Sequence, residues 1–267
     1  MNNAEKLKEY EDNIRTSMGA WFPEGRVVYR GKDLLYELAD EPWMRLLLYG
    51  ITGRMFNDKE IKLFEGIWVI SSSYPDPRIW NNRVAAFAGA ARSTGALGIS
   101  AGIATSEATA YGLSPGIKCI DFLRQAKKNI DDGVHLDSFL KRYIKINRSL
   151  FGYGRPIARG DERILPLSKL AEKLGFAGGE YYKLAFEIEE CLQKGRWRMK
   201  MNAFGVIAGL CADQGLSNRE FYYYITTFYT AGMFPCMIDT FEKPEGTFLP
   251  LRCERIAYEG VEARHWV

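Results

Sequence analysis

The stretch from residue 84 to residue 110 most constrains the fold of this chain. Ala, Gly, Ser and Thr dominate it, and Gly89, Gly95, Gly98 and Gly102 lie inside an otherwise helical run. Small side chains let a neighbouring backbone approach very closely. The stretch therefore predicts a helical segment packed tightly in the core or across a dimer interface, with ligand binding as the less favoured interpretation. Its arginines and many small residues argue against a membrane span.

The remaining sequence predicts an all-α protein, because apolar residues recur at helical spacing along most of it. Asn57 or Asp58 is a candidate cap for a helix over 58–72, and Ser217 with Glu220 predicts a capping box for one over 217–240. We expect β pairing only at 26–29 and near Leu249. Further helices are expected over 5–16, 33–49, 115–131, 135–149, 166–175, 179–194 and 204–214.

Residues 152–163 form a glycine turn with the sequence Gly-Tyr-Gly-Arg-Pro-Ile-Ala-Arg-Gly-Asp-Glu-Arg, followed at once by an apolar helical pattern. A Gly-x-Gly turn lets backbone groups approach a flat or phosphorylated ligand where a Cβ would intrude. The cations behind it can hold anionic groups. Alone, such a turn is more often only a tight loop, so its interpretation depends on the rest of the chain.

The block resembles the citrate synthase segment Gly-Phe-Gly-His-x-Val-(Tyr/Leu)-(Lys/Arg)-x-x-Asp-Pro-Arg. Segments 28–34, 46–50 and 252–260 are similar to other motifs of that family and occur in the same order. The resemblance spans most of the chain, although the helical stretch that the family usually places after the second motif is shortened here to residues 51–74.

The resemblance implies a citrate-synthase-like helical large domain, a small helical lobe and packing as a two-fold dimer to which the 84–110 stretch contributes. The large domain would comprise residues 1–112 and 217–267, and the small domain residues 113–216. Hinge candidates lie near 112–116 and 175–179.

The resemblance also assigns binding roles to individual residues. Coenzyme A or an acyl-CoA would lie against Gly152, Tyr153 and Gly154 as a ligand, with no cofactor bound permanently. A second group would bind the carboxylates of the substrate. It comprises Arg163, Arg252 and Arg255, because guanidinium groups pair with carboxylates at two points. It also includes Asp76, which resembles the aspartate of a His-Asp-His segment of the family.

The catalytic positions of the family are substituted. Its two histidines fall at Glu107 or Ala108 and at Arg155, and its aspartate falls at Phe204, which cannot take a proton. Arg155 is a candidate oxyanion donor but not a base. Glu107 is a candidate base if it is buried beside a thioester, and otherwise a residue at a helix end or subunit surface. A family arginine that binds substrate is also missing near Gly232, which weakens the prediction of polycarboxylate binding.

Composition limits the partners and the compartment. The 36 basic and 33 acidic residues are too balanced to predict a nucleic-acid or membrane partner. The basic cluster at 194–200 is interpreted as a solvated loop or a contact to coenzyme A phosphates. Five scattered cysteines indicate reduced thiols, and with only His135 and His265 available no metal site is expected. The polar N-terminus lacks signal-peptide features, so we expect a cytoplasmic protein.

Three functions remain open at this point. The chain could be an acyltransferase of the citrate synthase type, or a related lyase, with a modified active site. It could be a non-catalytic homologue that senses a ligand or partners a complete full-length subunit in a hetero-oligomer. A purely structural helical module explains the aromatic residues at 221–229 but not the glycine turn and its arginines. We expect a small carboxylate or a CoA thioester as the ligand.

Overall fold

The computed structural model describes residues 3–155 and 160–262. Helices dominate, as expected for an all-α protein. They are α1 (Asn3–Glu9), α2 (Trp43–Thr52), α3 (Asp58–Ser71), α4 (Trp80–Ala90), α5 (Gly95–Ser106), α6 (Leu113–Asp131), α7 (Leu136–Asn147), α8 (Ile164–Leu174), α9 (Glu180–Lys194), α10 (Ala203–Asp213), α11 (Asn218–Thr226) and α12 (Thr230–Phe241). None of the described helices has the length and apolar character that a bilayer span requires.

The chain divides into two compact units. The first comprises Met1–Ser71 and Ala108–Phe228, and the second comprises Ser72–Glu107 and Tyr229–Val267. The division into a large and a small domain that the family resemblance implies, with its hinge candidates, stays a prediction.

Helix α10 forms the centre of the first unit. Its sequence is apolar or small at almost every position, and every residue from Gly205 to Ala212 is buried. A helix that is apolar on all sides must be surrounded by other elements, and α10 packs against α6, α8 and α9. The aromatic residues of α11 serve the same core, since the hydroxyl of buried Tyr224 donates to the Phe64 carbonyl at 2.6 Å.

A small antiparallel sheet belongs to the first unit. Its strands are β1 (Gly19–Trp21), β2 (Val27–Tyr29) and β3 (Lys32–Asp33), in the order β1-β2-β3. Strand β2 confirms the pairing predicted at 26–29. The pairing predicted near Leu249 is wrong, because the described residues around it form no strand and Leu249 has a φ of 48°, outside the β region.

The small-residue stretch forms two helices of the second unit, α4 and α5. The break between them falls where Arg92 adopts a φ of 59° and the Thr94 hydroxyl caps α5 by accepting from the Leu97 amide. Helix α12 packs against both. A Cβ at Gly89 would collide with the Met237 carbonyl oxygen. The predicted close backbone approach is therefore confirmed inside one unit of the chain.

Two predicted helix starts are confirmed. Asn57 caps α3, with its Oδ1 accepting from the Lys59 and Glu60 amides at 2.9 and 3.1 Å. The capping box of Ser217 and Glu220 opens α11. Both caps are local sequence signals that no tertiary contact has to supply.

Three predicted helices differ from the observed ones. The helix at 217–240 is interrupted by a 3₁₀ turn at Thr227–Tyr229, where the Thr226 and Thr227 hydroxyls bond backbone carbonyls that the helix would otherwise use. The helix at 33–49 begins only at Trp43, directly after Pro42, which has an extended ψ of 141° and disfavours helical geometry in the residue before it. Helix α1 ends at Glu9, and none of its residues is buried, so no packing extends it.

Candidate functional site

The glycine turn lies in the first unit and is tied to the segment that leads into α10. The Gly154 amide donates to the Lys200 carbonyl at 2.6 Å, and the Asn202 amide donates to the Gly152 carbonyl at 2.9 Å. The Asn202 side-chain amide adds a bond to the Gly154 carbonyl at 3.0 Å. These bonds hold the turn in one conformation, which is what a ligand-binding loop requires.

The two glycines of the turn are needed for different reasons. Both have positive φ, 87° at Gly152 and 81° at Gly154, where L side chains are strained. A Cβ at Gly152 would also collide with the buried Cys119 sulfur, whereas one at Gly154 would meet only the Met199 sulfur at 3.9 Å. Gly152 is therefore a packing position, and Gly154 leaves space beside the backbone.

Tyr153 anchors the turn to the core between the two glycines. Its ring is buried, and its hydroxyl donates to the Ala185 carbonyl of α9 at 2.7 Å. Burial raises the pKa of this phenol well above its usual value. A buried hydroxyl with a backbone partner makes Tyr153 a support for the turn, so any contact with a ligand would come from the backbone of Tyr153.

Arg155, which takes the place of a family histidine, forms an ion pair with Glu162. Its Nη1 donates to Glu162 Oε2 at 2.6 Å and its Nη2 to Oε1 at 3.3 Å. Nη1 also reaches the Gly160 carbonyl at 3.2 Å. The bond from Arg155 lowers the pKa of the Glu162 carboxyl, so this carboxylate is a poor base at neutral pH.

Arg163 is held by the neighbouring Asp161 at two points. Its Nε donates to Asp161 Oδ1 at 2.8 Å and its Nη2 to Oδ2 at 2.7 Å. The Ala203 amide also donates to Oδ2 at 2.9 Å. Asp161 thereby joins the predicted carboxylate-binding arginine to the first residue of α10.

The Asp161 side chain is fully buried. Burial by itself would raise the pKa of this carboxyl, but the bonds and charge of Arg163 and the Ala203 amide outweigh it and hold the pKa at about 2. The carboxylate is therefore charged at any physiological pH, and its role is to orient its partners.

Phe204 is the residue that the family resemblance aligns with the catalytic aspartate. The residue is partly buried in the first turn of α10, and its ring edge lies 2.8 Å from where a Cβ at Gly116 would be. Its backbone carbonyl accepts from the Cys119 thiol at 3.4 Å, and burial raises the pKa of that thiol. Neither side chain is equipped to move a proton at neutral pH.

Four other predicted site residues belong to the second unit. Asp76 pairs with Arg78, whose Nη2 lies 2.6 Å from Oδ2, and this bond lowers the pKa of the Asp76 carboxyl. Glu107 is exposed and forms the C-cap of α5, which matches the helix-end interpretation. Arg252 and Arg255 are exposed beside and within a short 3₁₀ turn. Their assignments to a ligand stay predictions.

The basic cluster at 194–200 continues into the backbone that holds the glycine turn. Lys194 pairs with Glu190 at 2.6 Å, and the Arg196 guanidinium lies 4.8 Å from the centre of the Trp197 ring. Because the Lys200 carbonyl accepts from Gly154, the end of the cluster and the turn are neighbours. This position favours the phosphate-contact interpretation over a detached solvated loop.

No group of metal-binding side chains occurs among residues 3–155 and 160–262. His135 is exposed and precedes α7, while His265 and the turn residues 156–159 lie outside the described residues. The five cysteines form no disulfide with one another.

Comparison with known proteins identifies the fold. No protein-family model and no curated protein sequence matches this chain. The citryl-CoA lyase of Hydrogenobacter thermophilus matches it structurally with a TM-score of 0.83 at 17% identity, over 95% of this chain and 97% of that one. A citrate synthase from Thermoplasma acidophilum matches with a TM-score of 0.59 at 19% identity, over 85% of this chain and 59% of that one. This chain has the citrate-synthase-like fold.

A third structure shows the same fold as part of a longer protein. ATP citrate lyase of Methanosaeta concilii, in complex with (3S)-citryl-CoA, matches with a TM-score of 0.71 at 17% identity. The match covers 98% of this chain but only 45% of that one, so this chain spans less than half of the ATP citrate lyase. The match to citryl-CoA lyase covers nearly the full length of each chain. A citrate-synthase-like fold as short as this one therefore occurs in another protein.

Sequence reasoning missed the two acids of the site, Asp161 and Glu162. Asp161 keeps a family position, and Glu162 replaces the proline of the family motif. The sequence did contain a signal, since Arg155 and Glu162 depart from the motif together and have opposite charges. Only the structure shows that the two are paired.

Proposed function

We propose that this chain binds coenzyme A or an acyl-CoA at the glycine turn and cleaves a citryl-type substrate at the bond between the α carbon of the thioester and the carbon that bears the hydroxyl group. The carrying observation is the match to citryl-CoA lyase over 97% of that chain. The open space beside Gly154 supports the same proposal, because a backbone that is not covered by side chains can lie against a flat ligand.

The proposed cleavage assigns each residue a limited task. A base removes the proton of the substrate hydroxyl, the bond to the neighbouring carbon breaks, and its electron pair moves into the thioester as an enolate, which then takes a proton at carbon. Arg155 would donate to the thioester oxygen as charge develops on it or to a carboxylate of the substrate, and Arg163 would bind a carboxylate. Asp161 and Glu162 are poor candidates for the base, since both have lowered pKa values.

A non-catalytic homologue is the second candidate, and a specific observation favours it. Phe204 occupies the position of the family aspartate, and both carboxylates beside Arg155 are held in their charged form by arginines. A chain of this kind would bind the thioester without turnover, as a sensor or as the partner of a complete subunit. Condensation in the acyltransferase direction would need a base that removes a proton from the acetyl carbon, which is the group that protonates the enolate in the cleavage direction.

Two measurements on the purified protein separate these candidates. Thermal unfolding with coenzyme A, acetyl-CoA, oxaloacetate and citrate tests binding, because a ligand specific to the folded state raises the melting temperature. Chromatographic detection of acetyl-CoA after incubation with (3S)-citryl-CoA tests cleavage. Binding with release of acetyl-CoA supports the lyase, binding without release supports the non-catalytic homologue, and no binding rejects both.

We also propose that the chain forms a two-fold homodimer through its second unit. Four large apolar side chains are exposed on the face formed by α5 and α12, namely Leu97, Phe234, Ile238 and Phe241. Monomeric proteins rarely expose a contiguous apolar patch of this kind. Sedimentation equilibrium should give twice the chain mass of 30.4 kDa. Ile238→Asp should shift the protein to monomer, while Asp239→Asn on the same helix should not; a monomeric wild-type protein would refute the dimer.

A further inference from the structure

Arg155 and Glu162 are the two charged positions at which this chain departs from the family motif, and they form an ion pair with each other. The paired carboxylate covers both Nη atoms of Arg155, at 2.6 and 3.3 Å. That edge is one of the two at which a guanidinium group binds a carboxylate at two points, and Arg163 uses the other, formed by Nε and Nη2. One two-point donor edge of Arg155 is thus already occupied by a side chain of the protein.

The two acids of the turn differ in how easily they can leave their arginines. Asp161 is fully buried and also accepts the Ala203 amide, so removing it from Arg163 would break several bonds. The Glu162 side chain is 67% exposed, and that of Arg155 is 28% exposed. A carboxylate in contact with water can rotate away and be solvated, which makes the Glu162 pair exchangeable.

We propose that Glu162 is an internal competitor that determines which carboxylates can bind at Arg155. A ligand carboxylate replaces the Glu162 carboxylate at the two Nη atoms, and Glu162 turns into solvent. Ligands that form only one bond to the guanidinium gain little from this exchange, whereas ligands whose carboxylate binds both Nη atoms gain more. The inference rests on the proposed ligand-binding role of Arg155 but does not require catalysis.

The strength of the competitor follows from its exposure. Solvent-exposed ion pairs contribute between about 0 and 1 kcal/mol, which corresponds to at most about a fivefold change in an equilibrium constant. Glu162→Gln removes the charge and keeps the shape. We therefore expect this variant to bind a dicarboxylate about twofold to fivefold more tightly than the wild-type protein.

The test is calorimetric titration of the full chain with malonate, a dicarboxylate that needs no thioester site. Four variants accompany the wild-type protein: Glu162→Gln, Arg155→Gln, the double variant of these two, and Glu190→Gln as a matched control in an exposed pair with Lys194. Acetyl-CoA is titrated in parallel. Circular dichroism establishes that each variant is folded.

Tighter malonate binding by Glu162→Gln, which disappears in the double variant and is absent in Glu190→Gln, supports the competitor. Unchanged or weaker malonate binding by Glu162→Gln overturns the proposal. An equal tightening when Glu162→Gln is added to Arg155→Gln overturns it as well. Failure of all proteins to bind malonate also overturns it, because removal of Glu162 would then expose no carboxylate site. If acetyl-CoA binds but Glu162→Gln does not change malonate affinity, the proposed function stays intact. If Glu162→Gln tightens malonate binding but acetyl-CoA does not bind, only the proposed function is refuted.

Discussion

Asp161 and Arg163 form a two-point ion pair in which Oδ1 accepts from Nε at 2.8 Å and Oδ2 accepts from Nη2 at 2.7 Å. The same Oδ2 accepts the Ala203 amide at the start of α10. One buried carboxylate therefore joins the end of the glycine-turn block to the central helix of its unit. Because of these bonds, a substitution of Asp161 should destabilise both the glycine turn and the start of α10.

We expect Asp161→Asn to lower the free energy of unfolding by about 2–3 kcal/mol, because it leaves a partly buried guanidinium without its counter-charge. Urea denaturation followed by circular dichroism measures this change. Glu190→Gln, which removes an exposed ion pair, should change the free energy of unfolding far less than Asp161→Asn. Equal effects of the two substitutions would contradict the structural role of Asp161.

The same carboxylate predicts a dependence of stability on pH. The pKa of Asp161 lies at about 2 in the folded chain against a usual value of 3.8. A pKa lowered by folding stabilises the protein above the usual value and loses that effect as pH falls through the folded value. The wild-type advantage over Asp161→Asn should therefore shrink between about pH 4 and pH 2. An advantage that stays constant over this range would contradict the assignment.

The two glycines of the turn should tolerate alanine differently. Both substitutions introduce strain at positive φ, worth about 1–2 kcal/mol. Gly152→Ala adds a collision with the Cys119 sulfur, whereas Gly154→Ala meets open space. Thermal unfolding should show the larger loss for Gly152→Ala, by at least about 1 kcal/mol. The reverse order would show that the turn packs differently.

Gly154→Ala has a separate use as a probe of ligand binding. Its added methyl group points into the space beside the turn, so we expect weaker acetyl-CoA binding at nearly unchanged packing. Titration of folded Gly154→Ala against the wild-type protein measures the loss. Unaltered affinity would place the thioester elsewhere.

Asp213 should stabilise α9 although it lies in another helix. Its two carboxylate oxygens accept the Tyr181 and Tyr182 amides, each at 2.9 Å, where Gly179 offers no side-chain cap. Asp213→Ala should lower the free energy of unfolding by about 1–2 kcal/mol. Asp239→Ala, in an exposed pair with Lys243, serves as the control and should have little effect.

Local signals predicted much of the fold. The caps at Asn57 and Ser217 and the apolar periodicity of α6 and α8 to α10 depend on neighbouring residues only, so they could be read from the sequence. The Asp213 cap could not, because more than thirty residues separate it from the amides it accepts. The break at 227–229 lies where threonine hydroxyls bond helix carbonyls, which periodicity does not register. The late start of α2 follows Pro42, which interrupts the apolar periodicity of 33–49.

The residues of the candidate site were named from the sequence, but their partners were not. The resemblance to the family motif pointed to the glycine turn and the two arginines, whereas an acid next to an arginine in sequence can point either way. The structure shows that Asp161 turns inward and Glu162 outward. That difference decides which arginine is held and which can exchange, and no pattern of residue types contains it.

Titration of the wild-type chain with acetyl-CoA, followed by its melting temperature, tests most directly whether this fold holds a CoA thioester. At a concentration about a hundred times the dissociation constant, mass action adds about 2.7 kcal/mol of stability, which raises the melting temperature of a chain of this size by about 5–10 °C. A rise that saturates in this range and is reduced in Gly154→Ala is the predicted result. No rise at millimolar acetyl-CoA would contradict the account.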